Sequence, residues 1–498
     1  MGYTEYVCVL CGVSFNIARI RTPDEPPNCA WACIGDSQDW VDAWCDGKRG
    51  CSTESTGCFY LLRQYNEVDE AEASGSETYL SYLFFDFGEG QTPVLGQQLP
   101  ITQDMGRRHG RIAIDTFDVE HVGGPHCQAY GGYLGHRISA AEMRGCRTFQ
   151  SLVPRLDRHI QEPDDLYIER QSKVILTGID DASLPERDDS NHTPTLVDWL
   201  PARHAVSNGR IVNPFVDDYN ISDAEFAFHP WCFGTYMQLS RLRLGYVEVG
   251  HLPSFFQNIG RYPRDFYYSP GSEVEEAWFV DMWSCNAGEE WLAANPYHVP
   301  KLRELLDRAM TTDASFNLQA GVFTSQAALR NTVNGPAVTR DSFSRLPQEI
   351  RNMILSYLNS QDIATLRLVS RTFYQLPVFL WYRLLKEEMP WLWEIWSDEP
   401  PYFWATVTAE DIKNNGNTVV DPHTSHPTIV SHNVDVQEHL SQWTLPKPPY
   451  GRTNWYMLYL DIKRNWKELR GLRNRERIWN YQEKMLVSLK MHIQDVTI

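Results

Sequence analysis

Apolar positions recur at helical spacing in several stretches of the chain, most densely over residues 343–381. There Ile350, Met353, Ile354, Leu355 and Leu358 predict a short amphipathic helix, with Pro347 suited to its first position because a missing N–H costs nothing there. Asn359 and Ser360 supply a turn or N-cap, Asp362 places a carboxylate in the next first turn, and Ile363, Leu366 and Val369 form a second stripe. Ser370 can cap a third helix carrying Phe373, Leu376, Phe379, Leu380 and Trp381. Three helices this short bury too little surface to be stable alone, so the module is expected to lean on neighbours or on a partner.

The same periodicity predicts helices over residues 226–244, 299–310, 455–472 and 473–490, and Ser139 can cap a helix starting at Ala140. Aromatic and β-branched runs predict strands at 78–87 and 112–117. Residues 1–60 read as irregular with small strands, 161–225 as a long polar excursion, 331–341 as a linker, 389–404 as a helix and turn, and 411–450 as a second polar stretch. The whole is expected to be α+β: a mixed, irregular N-terminal domain over 1–335, the three-helix module at 342–382, and a mainly helical region over 383–498.

The module's residues carry a resemblance. Leu346-Pro347-x-Glu349-Ile350, then Ile354-Leu355-x-x-Leu358, then Asp362-Ile363-x-x-Leu366-x-x-Val369-Ser370-Arg371 and Phe373, resemble an F-box. The resemblance implies a non-catalytic subunit that docks on the Skp-type adaptor of a cullin-RING (SCF) ubiquitin ligase, while the rest of the chain selects a protein substrate. It also implies that Leu346, Pro347, Ile350, Ile354, Leu355, Leu358, Leu366, Val369, Ser370 and Phe373 divide between adaptor-facing and core positions, without saying which is which. Segments 134–155, 283–302 and 472–486 are similar, more loosely, to fungal F-box proteins with large N-terminal parts. The plainer alternative is an αα-hairpin inside a larger helical domain.

Composition narrows the field. The 498 residues are 42% hydrophobic and 22% charged, ordinary for two or three globular domains. A formal net charge of −19 opposes nucleic acid or an anionic membrane as the main partner, although residues 452–490 hold ten Lys and Arg against four Asp and Glu. No apolar run approaches eighteen residues, and the first residues lack the pattern of a signal peptide, so a cytoplasmic or nuclear protein is expected. In such a compartment the eleven cysteines are thiols or metal ligands rather than disulfides.

Cys8-x-x-Cys11-Gly12 is the sharpest chemical signal, because two thiolates on a tight turn can face one Zn²⁺. Completion is open: local partners would be drawn from Cys29, Cys33, Cys45, Cys51 and Cys58, and a remote pair is His229 with Cys232. The alternative is that all are packed or free thiols. His423, His426, His432 and His439 read as a solvated loop, His121 and His126-Cys127 as turn residues between glycines, and Cys127 and Cys146 as bare thiols. Asp164-Asp165 and Asp180-Asp181 read as solvated carboxylates. The sequence holds no nucleophile elbow, phosphate-binding loop or dinucleotide fingerprint, so catalysis is not expected. The runner-up function is a zinc-stabilised scaffold or nucleic-acid-associated protein with the helical module as internal structure.

Overall fold

The computed structural model describes residues 7–15, 17–31, 51–64, 84–85, 94–101, 112–113, 117–129, 133–154, 166–181, 206–207, 210–211, 227–259, 274, 286–311, 341–373, 376–420, 427–432 and 436–497. The fold is α+β, with small sheets and a larger helical content. Contacts group the chain into two compact units, each assembled from several stretches: Met1–His298, Tyr402–His439 and Arg477–Ile498 form the first, and Val299–Pro401 and Leu440–Glu476 the second.

In the first unit, Phe59–Gln64 is the middle strand of an antiparallel sheet, paired with Gln98–Pro100 on one side and Phe117–Val122 on the other. Tyr60 and Leu62 alternate inward and are buried, as the period of two requires. A second sheet is built on Thr148–Pro154, which pairs antiparallel with Val174–Leu176, Asp180–Asp181 and Ala227–Phe228. Asp180 and Asp181 are therefore strand residues, and Asp181 accepts a bond from the Thr148 hydroxyl at 2.6 Å, rather than standing in a solvated loop. Phe228 leads through His229 into the helix Pro230–Leu244, buried continuously from Pro230 to Ser240. A helix buried all round belongs at the centre of its unit.

Two stretches depart from expectation. Ser139 and Glu142 do exchange the bonds of a capping box, yet the chain makes turns rather than a helix, because the Asn295 amide groups take the carbonyls of Glu142 (2.6 Å) and Arg144 (2.9 Å). Within the polar stretch 411–450, β-branched Thr418, Val419, Val420, Thr428, Ile429 and Val430 support a hairpin of Gly416–Val420 with Pro427–His432, followed by a helix Val436–Trp443. His432 is thus a strand residue and His439 a helix residue bonded to the Thr406 hydroxyl at 3.0 Å, while His423 and His426 lie outside the described residues. Of the expected strand 78–87, Phe84–Phe85 is a strand paired with Ile112–Ala113 and the rest lies outside the described residues.

The second unit is helical. Pro300–Met310 packs on Trp455–Arg464, whose N-cap Asn454 accepts the Met457 N–H at 3.0 Å and donates its own N–H to the Ala309 carbonyl at 2.9 Å. Trp381 lies 4.8 Å from Tyr456 and 5.2 Å from Tyr459, ring to ring. A buried ion pair closes this core: Arg475 binds both oxygens of Glu394, at 2.8 and 2.9 Å, and lies 3.8 Å over the Trp393 ring. The stretch 389–404 holds 3-10 turns rather than a helix, Trp393–Ile395 in this unit and the start of Phe403–Ala405 in the first.

Candidate functional site

The three-helix module comprises Gln348–Ser356, Ser360–Val369 and Val378–Glu388. Pro347 is the N-cap of the first, one residue before the expected position, and Asn359 caps the second by accepting the Asp362 N–H at 2.8 Å. The third helix begins after Pro377, so Ser370 does not cap it. Ser370 instead ends the second helix, and its hydroxyl donates to Asp341 at 2.6 Å. The same Asp341 oxygen takes the Thr372 N–H and hydroxyl at 3.0 and 2.8 Å, and the other oxygen takes the Phe343 N–H at 3.0 Å. Hydrogen bonds led by that of Ser370 hold the Asp341 carboxyl down at about 2.

The third helix supplies what the first two lack at their ends. Arg383 donates to the carbonyls of Ser356, Leu355 and Leu358 at 2.8, 2.9 and 2.7 Å, satisfying the C-terminus of the first helix. One turn later Glu388 accepts the Ser360 N–H and hydroxyl at 2.7 and 2.8 Å, at the N-terminus of the second. Two charged residues on one helix therefore tie both partners down.

Burial separates the residues that the sequence could not divide. Leu355, Ser370 and Phe373 are buried, Leu346, Ile354, Leu358 and Leu366 are half-buried, and Pro347, Ile350 and Val369 are exposed. Sequence reasoning left out two residues of the exposed set, Tyr357 and Leu368, at 84% and 85% exposure; Met353 is also open, at 54%. Their signal was available: they sit beside apolar positions but off the stripe that periodicity assigns to the core.

In the first unit the structure gathers Cys8, Cys11, His229 and Cys232 into one buried group, all donor atoms within 4.8 Å of one another. Cys8 and Cys11 lie on a tight turn closed by Gly12 at φ +76°, a left-handed conformation that favours glycine. His229 and Cys232 arrive together from the mouth of the helix Pro230–Leu244. The Cys11 sulfur is 3.6 Å and the Cys232 sulfur 4.0 Å from His229 Nδ1. Tetrahedral zinc, with Zn–S of about 2.3 Å and Zn–N of about 2.0 Å, sets S···N at about 3.5 Å. The other ring nitrogen, Nε2, is 2.9 Å from the Cys146 carbonyl, which leaves Nδ1 facing the sulfurs, and the His229 N–H donates to the Cys8 sulfur at 3.3 Å. Burial pushes the Cys8 and Cys232 thiols up; at Cys11 burial is outweighed by hydrogen bonds from Cys232, Cys8 and His229, which hold it well below the ordinary thiol range.

The remote pair is thus the one brought to Cys8 and Cys11. The local alternatives are not: Cys29 is half-buried near the surface, Cys33 and Cys45 lie outside the described residues, and Cys51 and Cys58 lie with His121 and Cys127 in a second buried group. Cys127 is a free, buried thiol with Cys51 and His121 as close neighbours, and His121 is a strand residue, not a turn residue. Each group can hold a metal ion.

Residues 343–387 match a family model described as F-box-like. Comparison with curated proteins and with solved structures returned no match.

Proposed function

We propose that this protein is a non-catalytic F-box subunit that docks on a Skp-type adaptor and, through it, on a cullin, presenting a protein substrate to an SCF-type ubiquitin ligase. The observation that carries this reading is the family match at 343–387 falling on three short helices that leave Met353, Tyr357, Leu368 and Val369 open to solvent. Large exposed apolar side chains on well-tied helices are what a protein interface uses, and aromatic ones often dominate its energy. The likeness of the flanking segments to fungal F-box proteins supports taking them with the module, as the substrate-selecting part, in the cytoplasm or nucleus.

The test is the affinity of the purified chain for a Skp-type adaptor. Replacing Tyr357 and Leu368 together by alanine, two exposed positions whose loss leaves the core intact, is expected to weaken binding by at least about tenfold, or ~1.4 kcal/mol. Wild-type affinity in that variant, or no binding by the folded wild type, would contradict the proposal.

Within this reading Zn²⁺ at Cys8, Cys11, His229 and Cys232 stabilises the first unit. With four buried protein ligands and no open position the site is structural rather than catalytic. Stoichiometric zinc lost on Cys11→Ser is the expected result; a folded metal-free chain would remove this part. Zinc without any adaptor binding would favour the zinc-stabilised scaffold instead.

A further inference from the structure

The second buried group joins residues far apart in the chain. Cys51 precedes the short helix Thr53–Thr56, Cys58 precedes the central strand Phe59–Gln64, His121 lies on the neighbouring strand Phe117–Val122, and Cys127 lies on the turn that follows. Strand register places Tyr60 opposite His121 and Phe59 opposite Val122, so the sheet itself carries the imidazole to the Cys58 end. All four residues are at most 3% exposed.

The distances fit a metal and exclude a disulfide. The Cys51 and Cys127 sulfurs are 3.8 Å apart, where a bonded pair stands at about 2.05 Å. Two thiolates on one tetrahedral zinc stand about 3.8 Å apart. Cys127 Sγ is 3.8 Å from His121 Nε2, and all four donor atoms lie within 4.8 Å of one another.

The backbone is arranged for thiolates. The Gly124 N–H donates to the Cys58 sulfur at 3.3 Å and the Gln128 N–H to the Cys51 sulfur at 3.4 Å. Such N–H···S bonds spread the negative charge that three thiolates leave around one dication. Reaching this position requires Gly124: a Cβ there would stand 2.2 Å from the Thr56 carbonyl oxygen and 2.4 Å from the Gly57 carbonyl carbon. The loop carrying Cys127 is thus pressed against the turn between Cys51 and Cys58, closer than any other residue permits.

We propose that Cys51, Cys58, His121 and Cys127 form a second, closed structural Zn²⁺ site, separate from that at Cys8. Neutral His121 and three thiolates bind the ion, and the three thiols give up their protons to solvent as it binds. A closed Cys₃His set with no water position is the donor chemistry of zinc rather than of calcium or magnesium, which take oxygen. The site staples the sheet's central strand to the loop beyond its neighbour.

The test counts zinc by elemental analysis and native mass spectrometry in the full chain purified with a thiol reductant. The expected result is two zinc ions per chain in the wild type, one in Cys127→Ser and one in Cys11→Ser. One zinc that survives Cys127→Ser and is lost in Cys11→Ser, or a folded wild type without zinc, would overturn the second site. One zinc lost in Cys127→Ser but kept in Cys11→Ser would retain it and remove the first. Should Cys127→Ser fail to fold, cobalt titration of the metal-stripped wild type decides: two equivalents with the absorption of tetrahedral thiolate–cobalt support the site, and one equivalent, unaffected by Gly124→Ala but abolished by Cys11→Ser, overturns it. Adaptor affinity is measured beside the count, so loss of either zinc reading is distinguishable from loss of the ligase reading.

Discussion

At residue scale, the F-box module depends on three charged side chains that periodicity does not single out. Arg383→Ala strips three carbonyls at the end of the helix Gln348–Ser356 of their donor. Charged hydrogen bonds contribute about 1.5–3 kcal/mol each, discounted here because the guanidinium is partly exposed, so a loss of about 2 kcal/mol is expected in denaturant unfolding. Asp341 gives a pH dependence. Its folded pKa of about 2 lies below the ordinary value of 3.8, so its contribution is present above about pH 4 and fades as pH falls towards 2. The stability gap between wild type and Asp341→Ala, read as the shift in denaturant midpoint, should therefore narrow over that window; a gap independent of pH would remove the carboxylate's role. Leu346, Pro347, Leu355 and their neighbours were legible because periodicity and spacing mark them. Arg383, Glu388 and Asp341 were not, because a side chain that reaches a helix end 25 to 31 residues away leaves no local pattern.

At the scale of elements, the C-terminal helix Arg470–Thr497 and the Cys8 turn form one device. Arg477 donates to the Cys11 carbonyl at 2.7 Å, Tyr481 to that of Val9 at 3.2 Å, and Gln482 to those of Leu10 and Cys232 at 3.2 and 2.8 Å. The N–H groups of Cys8, Cys11 and Gly12 bond within the turn and that of Val9 goes to the Ala227 carbonyl, while the carbonyls of Val9, Leu10 and Cys11 go to this helix, so the helix holds the backbone that positions the two sulfurs. Arg477→Ala with Gln482→Ala is expected to release zinc to a chelator several-fold faster than wild type, with unchanged stoichiometry at the start; equal rates would show that the helix is only a cover. The helix itself was legible from its apolar spacing, although it starts at Arg470 rather than 473 and runs on to Thr497, and the helix before it ends at Arg464 rather than 472. Its target was not, since a strip of backbone carbonyls has no sequence signature. The hairpin Gly416–Val420 with Pro427–His432 was likewise hidden, because Asn, His and Pro around it outweighed its β-branched residues.

At the scale of the molecule, each compact unit is assembled from more than one stretch of the chain, and each metal-ligand group joins residues far apart in sequence. All eight ligands lie in the stretch Met1–His298, whose long-range folding brings His229 and Cys232 to Cys8 and Cys11; half of that site was therefore visible in the sequence while its partners remained open, and Cys51, Cys58, His121 and Cys127 were scattered among several readings. Removing metal should lower the melting temperature of the chain, since an ion bound only by the folded state stabilises it by mass action. The ligands belong to the first unit and the F-box residues to the second, so the metal-depleted chain at low temperature is expected to keep its adaptor affinity. A parallel loss of both would show that the docking helices depend on the metal.

The central claim is that the helices Gln348–Ser356 and Ser360–Val369 dock on a Skp-type adaptor. Hydrogen–deuterium exchange of the full chain, alone and with a saturating adaptor, reads this directly. The expected result is slowed exchange over residues 346–370, including the segments that carry Tyr357 and Leu368. A stable complex whose protection falls elsewhere, or no complex with the folded chain, would contradict it.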